Sequence, residues 1–122
     1  MSKICTSIEQ SKKLIELGID VNTADMYWSM EEIPFLPFPV NDVVTNWSYA
    51  QENGMLPAWS LTALLELIQW DYKLEKTLFD QSDLFTYSIV CNDLDYRTYE
   101  HDNEPLDAAF EMVCWLKENE KI

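Results

Sequence analysis

A chain of 122 residues, 48% of them hydrophobic, is sized for a single core, and its apolar runs stop far short of the ~20 residues that cross a bilayer. Twenty-two Asp and Glu against eight Lys and Arg leave a net charge of −14. That balance disfavours direct binding to nucleic acid or to an anionic membrane, because a polyanion is held by bases that displace its counterions.

The opening residues, Met1 to Thr6, carry no continuous apolar stretch of the kind a secretory signal needs, so a cytoplasmic location is expected. Thr6-x-x-Glu9 and Ser7-x-x-Gln10 both fit a capping box and predict a first helix of about a dozen residues. Gly18 is placed to end it, with Ile19 folding back onto Leu14. Met26, Trp28 and Met30 alternate with polar positions and predict a short strand. The segment from Ile33 to Pro39 holds three prolines, so it should run extended with its phenylalanines turned to the core. Its Pro34-x-x-Pro37 matches a minimal proline-rich recognition motif, but the flanking Glu31 and Glu32 and the lack of a nearby Arg favour core wrapping. Residues 43–49 mix apolar and polar positions without a clear period, and Asn53-Gly54 signals a turn.

Leu61, Leu64, Leu65 and Ile68 recur at helical spacing, giving a second helix that starts either at Pro57 or with Ser60 as its cap. From residue 71 the period becomes two. Tyr72 to Leu78, Phe85 to Cys91, and Leu94, Tyr96 and Thr98 read as three antiparallel strands, joined by a turn at Asp80–Asp83 and a two-residue loop at Asn92-Asp93. A last helix begins near Pro105 with acids in its first turn. Leu106, Ala109, Phe110, Val113 and Leu116 form one stripe of it, with Trp115 nearly opposite, so it should lie between two layers or present Trp115 outward. The expected fold is a single α+β domain over residues 1–122, with three main helices packed on a short antiparallel meander in a single-layer sheet.

The segments Leu56 to Leu67, Pro105 to Asn119 and Ser11 to Gly18 resemble small uncharacterised acidic proteins of Bacteroides-type gut bacteria, their prophages and mobile elements. The shared features are helix patterns. The resemblance implies a mobile-element context and no particular chemistry.

With only Gly18 and Gly54 present, no glycine-rich phosphate loop can be written. His101 is the sole histidine and lies between Glu100 and Asp102, which suits an acidic surface loop better than a catalytic triad. Asp93, Asp95, His101 and Asp102 are weak candidates for a hard cation, but their spacing departs from a calcium loop, so no metal and no cofactor is expected. Cys5, Cys91 and Cys114 are widely spaced and odd in number, as buried free thiols would be.

Between Asp80 and Glu111 stand nine acids and a single base, Arg97. Asp93, Asp95, Glu100, Asp102, Glu104 and Asp107, with Trp115 beside them, are therefore the candidate partner-binding residues. Two functional readings stay open. One is a non-catalytic acidic interaction domain of phage or mobile-element origin that binds a basic protein. The other is a small-ligand or enzymatic domain with an aromatic pocket, suggested by five Trp, six Tyr and five Phe, and carboxylates as acid and base.

Overall fold

Helix α1 (Ile8–Glu16) begins where the capping box places it: Gln10 N–H donates to Ser7 Oγ at 3.1 Å, and Ser7 N–H donates to Gln10 Oε1 at 2.9 Å. It ends in a Schellman turn. Gly18 has φ +90°, its N–H donates to the Ile15 carbonyl, and Ile19 N–H donates to that of Leu14. These contacts belong to a computed structural model that describes residues 3–29, 37–39, 47–52, 54–78, 85–94, 96–97, 101–102 and 104–122. Most of the proline-rich segment, the turn at Asp80–Asp83, and the candidates Asp95 and Glu100 lie outside the described residues.

The chain forms the expected α+β fold, with α1, α3 (Leu61–Leu67) and α4 (Pro105–Glu118) as its main helices. A short helix, α2 (Trp47–Glu52), falls in the stretch of mixed pattern. The described strands make two antiparallel sheets. In the first, β1 (Met26–Ser29) lies between β2 (Pro37–Pro39) and β3 (Met55–Ala58), with Tyr27 opposite both Phe38 and Pro57. Both outer strands carry proline, which is tolerated at a sheet edge because its missing amide can face away from the ladder. Pro57 is thus a strand residue, and it is Ser60 that caps α3, accepting from Ala63 N–H at 3.2 Å.

The second sheet is the expected meander. β4 (Tyr72–Leu78) pairs along its full length with β5 (Phe85–Cys91), from Tyr72 opposite Cys91 to Leu78 opposite Phe85. Of the expected third strand, β6 (Tyr96–Arg97) is present while Leu94 falls in a 3₁₀ turn, and a further piece that the period did not predict, β7 (His101–Asp102), also pairs with β5. The registers of β6 and β7 against β5 differ by one residue. Asn92-Asp93 does not form a two-residue hairpin loop: Asn92–Leu94 is a turn of 3₁₀ helix.

Helix α4 sits between layers, packed on α3 and on β5. Leu106, Ala108, Ala109, Met112, Val113 and Leu116 are at most 1% exposed and share one face of the helix, an arc of about 160°. Its C-terminus repeats the Schellman pattern, with Lys121 N–H donating to the Leu116 carbonyl at 2.7 Å. Here the left-handed position is occupied by Glu120, φ +56°, instead of glycine. A left-handed backbone costs an L-residue roughly 1–2 kcal/mol. Gly18→Ala is therefore expected to destabilise by about 1 kcal/mol, since a Cβ there meets only Lys117 Cε at an ordinary 3.7 Å. Glu120→Gly is expected to stabilise by a similar amount, about 1 kcal/mol, and urea midpoints for the two variants check the opposed signs.

Candidate interaction surface

At 3.6 residues per turn, Asp107, Glu111 and Glu118 fall on one line of α4, opposite the buried Ala109 and Leu116. The N-terminal segment and α1 reach this line. Lys3 Nζ pairs with Asp107 Oδ1 at 2.8 Å, and Lys3 N–H donates to Glu104 Oε2 at 3.2 Å. Gln10 Nε2 donates to the same Asp107 oxygen at 2.8 Å, and Lys13 Nζ stands 3.5 Å from Glu118 Oε1. Two of the candidate acids, Glu104 and Asp107, are thus engaged by the protein's own N-terminus. Exposed ion pairs contribute up to about 1 kcal/mol, and a hydrogen bond to a charged group about 1.5–3 kcal/mol. Asp107→Ala, which breaks both at a half-buried site, is expected to cost about 2 kcal/mol. A double-mutant cycle with Lys3→Ala, read by urea unfolding, should return a coupling below about 1 kcal/mol.

The other candidates are placed differently. Asp93 is exposed in the 3₁₀ turn that follows β5. Asp102 and His101 are the two residues of β7. Trp115 is half-buried and packs against the core, consistent with an α4 held between layers. Exposed acids also stand on other elements: Glu9 and Glu16 on α1, Glu52 on α2, Glu66 on α3, and Asp71 ahead of β4. Among the described residues, no three of His, Cys, Asp and Glu come together as a metal site.

Two polar anchors carry no local sequence signal. Asp25 accepts from Ser60 N–H at 2.8 Å and from the Ser60 hydroxyl, placing a carboxylate at the start of α3. Trp59 is wholly buried, and its backbone exchanges hydrogen bonds with Thr6. Its indole N–H donates to Thr23 Oγ1 at 2.9 Å.

All three cysteines are buried and free. Burial, reinforced by the nearby Asp25 carboxylate, pushes the Cys5 thiol up to about 11. Burial also raises Cys114 to about 11, with Glu118 adding to the effect and Lys13 opposing it, and burial raises Cys91. At neutral pH these are thiols rather than nucleophilic thiolates. Because the folded state holds these protons more tightly than the unfolded chain, the stability they contribute is complete below pH 9 and declines as pH rises towards 11. The melting temperature of the Cys5→Ala/Cys114→Ala variant should therefore fall less steeply over that interval than that of the unaltered protein.

An open groove of about 320 Å³ is lined by Lys3, Ile4, Cys5, Ser7, Trp28 and Pro37, and no carboxylate is among them. A second, of about 250 Å³, lies between Gly18, Asp20, Thr23 and Lys117. Among the described residues, no helix is long and apolar enough to cross a membrane. No protein family, curated protein or solved structure matches the chain.

Proposed function

We propose that the chain is a non-catalytic interaction domain of the cytoplasm that holds carboxylates on a rigid scaffold for a basic protein to bind. The observation that carries this reading is the charge itself. With twenty-two acids and eight bases, pairing every base internally still leaves −14. The clamp of Lys3 on Glu104 and Asp107 lowers the field locally without changing that total. Acids on α1, α2, α3 and the turn after β5 support a field around the molecule that draws in cations over a distance of about 8–10 Å at ordinary salt.

Such a surface competes with nucleic acid for the same Lys and Arg side chains, since carboxylates at fixed positions can stand in for phosphates. In a phage or mobile-element setting the partner is a host nucleic-acid-binding protein, inhibited by charge mimicry. Immobilised chain exposed to bacterial lysate at low salt should retain a discrete basic protein and release it at about 1 M salt, where the screening length is about 3 Å. Retaining nothing at low salt would contradict the proposal. Among the described residues the larger groove offers an aromatic residue, Trp28, and no carboxylate.

A further inference from the structure

The edges of the two sheets are treated differently. In the first sheet, edge strands β2 and β3 carry Pro37, Pro39 and Pro57, which discourage further pairing. In the second, β4 is an end strand of seven residues with no proline, and among the described residues only β5 pairs with it. Directly opposite residues share a face, so Tyr72, Leu74 and Lys76 lie on the face of Cys91, Ile89 and Tyr87. Over β5 that face is core: Ile89 and Cys91 are fully buried, and Cys91 Sγ lies 3.6 Å from Met112 Sδ of α4. Over β4 the cover gives out. Tyr72 is 38% exposed and Leu74 41%.

The charges on β4 say what fits beside it. We propose that a second copy of the chain pairs there, antiparallel, with a two-fold axis through Leu74 that joins the two meander sheets into one. A two-fold axis perpendicular to the sheet keeps every side chain on its own face, so it must pass through a residue. Centred on Leu74, it sets Lys73 opposite the second copy's Glu75, twice, on one face. On the other face Leu74 meets its own equivalent, and Tyr72 meets Lys76, which already lies 5.9 Å from the ring centroid of Tyr87. An axis at Lys73 or Lys76 would oppose two lysines, and one at Glu75 two glutamates, each unfavourable. The Leu74 register is open whichever alternate residues turn their amides outward. Within a chain of −14, β4 carries two lysines and one acid, so the repulsion between copies is weakest where they would touch.

Analytical ultracentrifugation at about 0.15 M salt should show a monomer–dimer equilibrium at concentrations up to hundreds of micromolar. Lys73→Glu alone, or Glu75→Lys alone, places like charges opposite each other twice and should weaken the dimer roughly tenfold or more. The swap Lys73→Glu/Glu75→Lys should restore it. A protein that stays monomeric throughout, single reversals without effect, or a swap that fails to recover the dimer would each overturn the assignment. Hydrogen exchange on the unaltered protein gives a second test: the amides of β4 should become more protected as concentration rises, and concentration-independent exchange would also overturn it.

Discussion

Trp59→Ala is expected to cost about 3–5 kcal/mol, a large share of the stability of an ordinary domain. The indole is completely buried, so truncation removes its contacts and leaves a cavity. It also removes the donor to Thr23 Oγ1, while Thr6, Trp59 and Ser11 remain joined through the Thr6 hydroxyl, 2.7 Å from Ser11 Oγ. Thr6 in addition accepts the Trp28 indole N–H on its carbonyl at 2.9 Å. The N-terminal segment, α1, β1 and the start of α3 are therefore tied together by Thr6 beside the buried indole, and the cavity left by truncation should loosen them together. Far-ultraviolet circular dichroism in urea checks this, with the expected result a large fall in midpoint and an unchanged slope. A loss below about 1 kcal/mol would mean that Trp59 is not the centre of the packing.

Met112→Glu should be more severe, leaving the chain without a cooperative transition. Met112 is fully buried on the side of α4 that meets Cys91 of β5. An unpaired buried carboxylate costs several kcal/mol even after relaxation, comparable with the whole stability of a domain this size. The conservative Met112→Leu should cost less than about 1.5 kcal/mol, which separates charge from shape. On the outer line of the same helix, Glu118→Gln should change stability by no more than about 0.5 kcal/mol, because Glu118 is exposed. The contrast tests directly whether α4 is sandwiched.

What was legible in the sequence is what local chemistry decides. Ser7 with Gln10, Gly18 with Ile19, and Ser60 mark helix ends through groups a few residues apart, and the structure uses each of them. The period of two between residues 72 and 91 gave β4 and β5, and the apolar breadth of the last helix gave its place between layers. The first sheet was legible at Met26–Ser29 and, as an extended proline-bearing run, at Pro37–Pro39, but not at β3. Pro57 looks like the first residue of a helix, and only pairing with Tyr27, thirty positions earlier, makes it an edge strand. Residues 47–52 form a helix despite a mixed pattern, because Trp47 is buried in the core cluster and tertiary contact overrides weak propensity. At the candidate surface, the acids were evident from composition. Their engagement was not, since Lys3 meets Asp107 across 104 positions and Asp25 meets Ser60 across 35.

The proposed role requires folded geometry as well as negative charge. The decisive measurement compares the affinity of the retained basic protein for this chain with its affinity for a shuffled chain of identical composition, hence identical −14 charge, at about 0.15 M salt. If carboxylates fixed on a scaffold make the site, the folded chain binds at least about tenfold tighter, a difference of about 1.4 kcal/mol. Equal affinities would show that charge alone attracts the partner and would contradict a specific interaction domain.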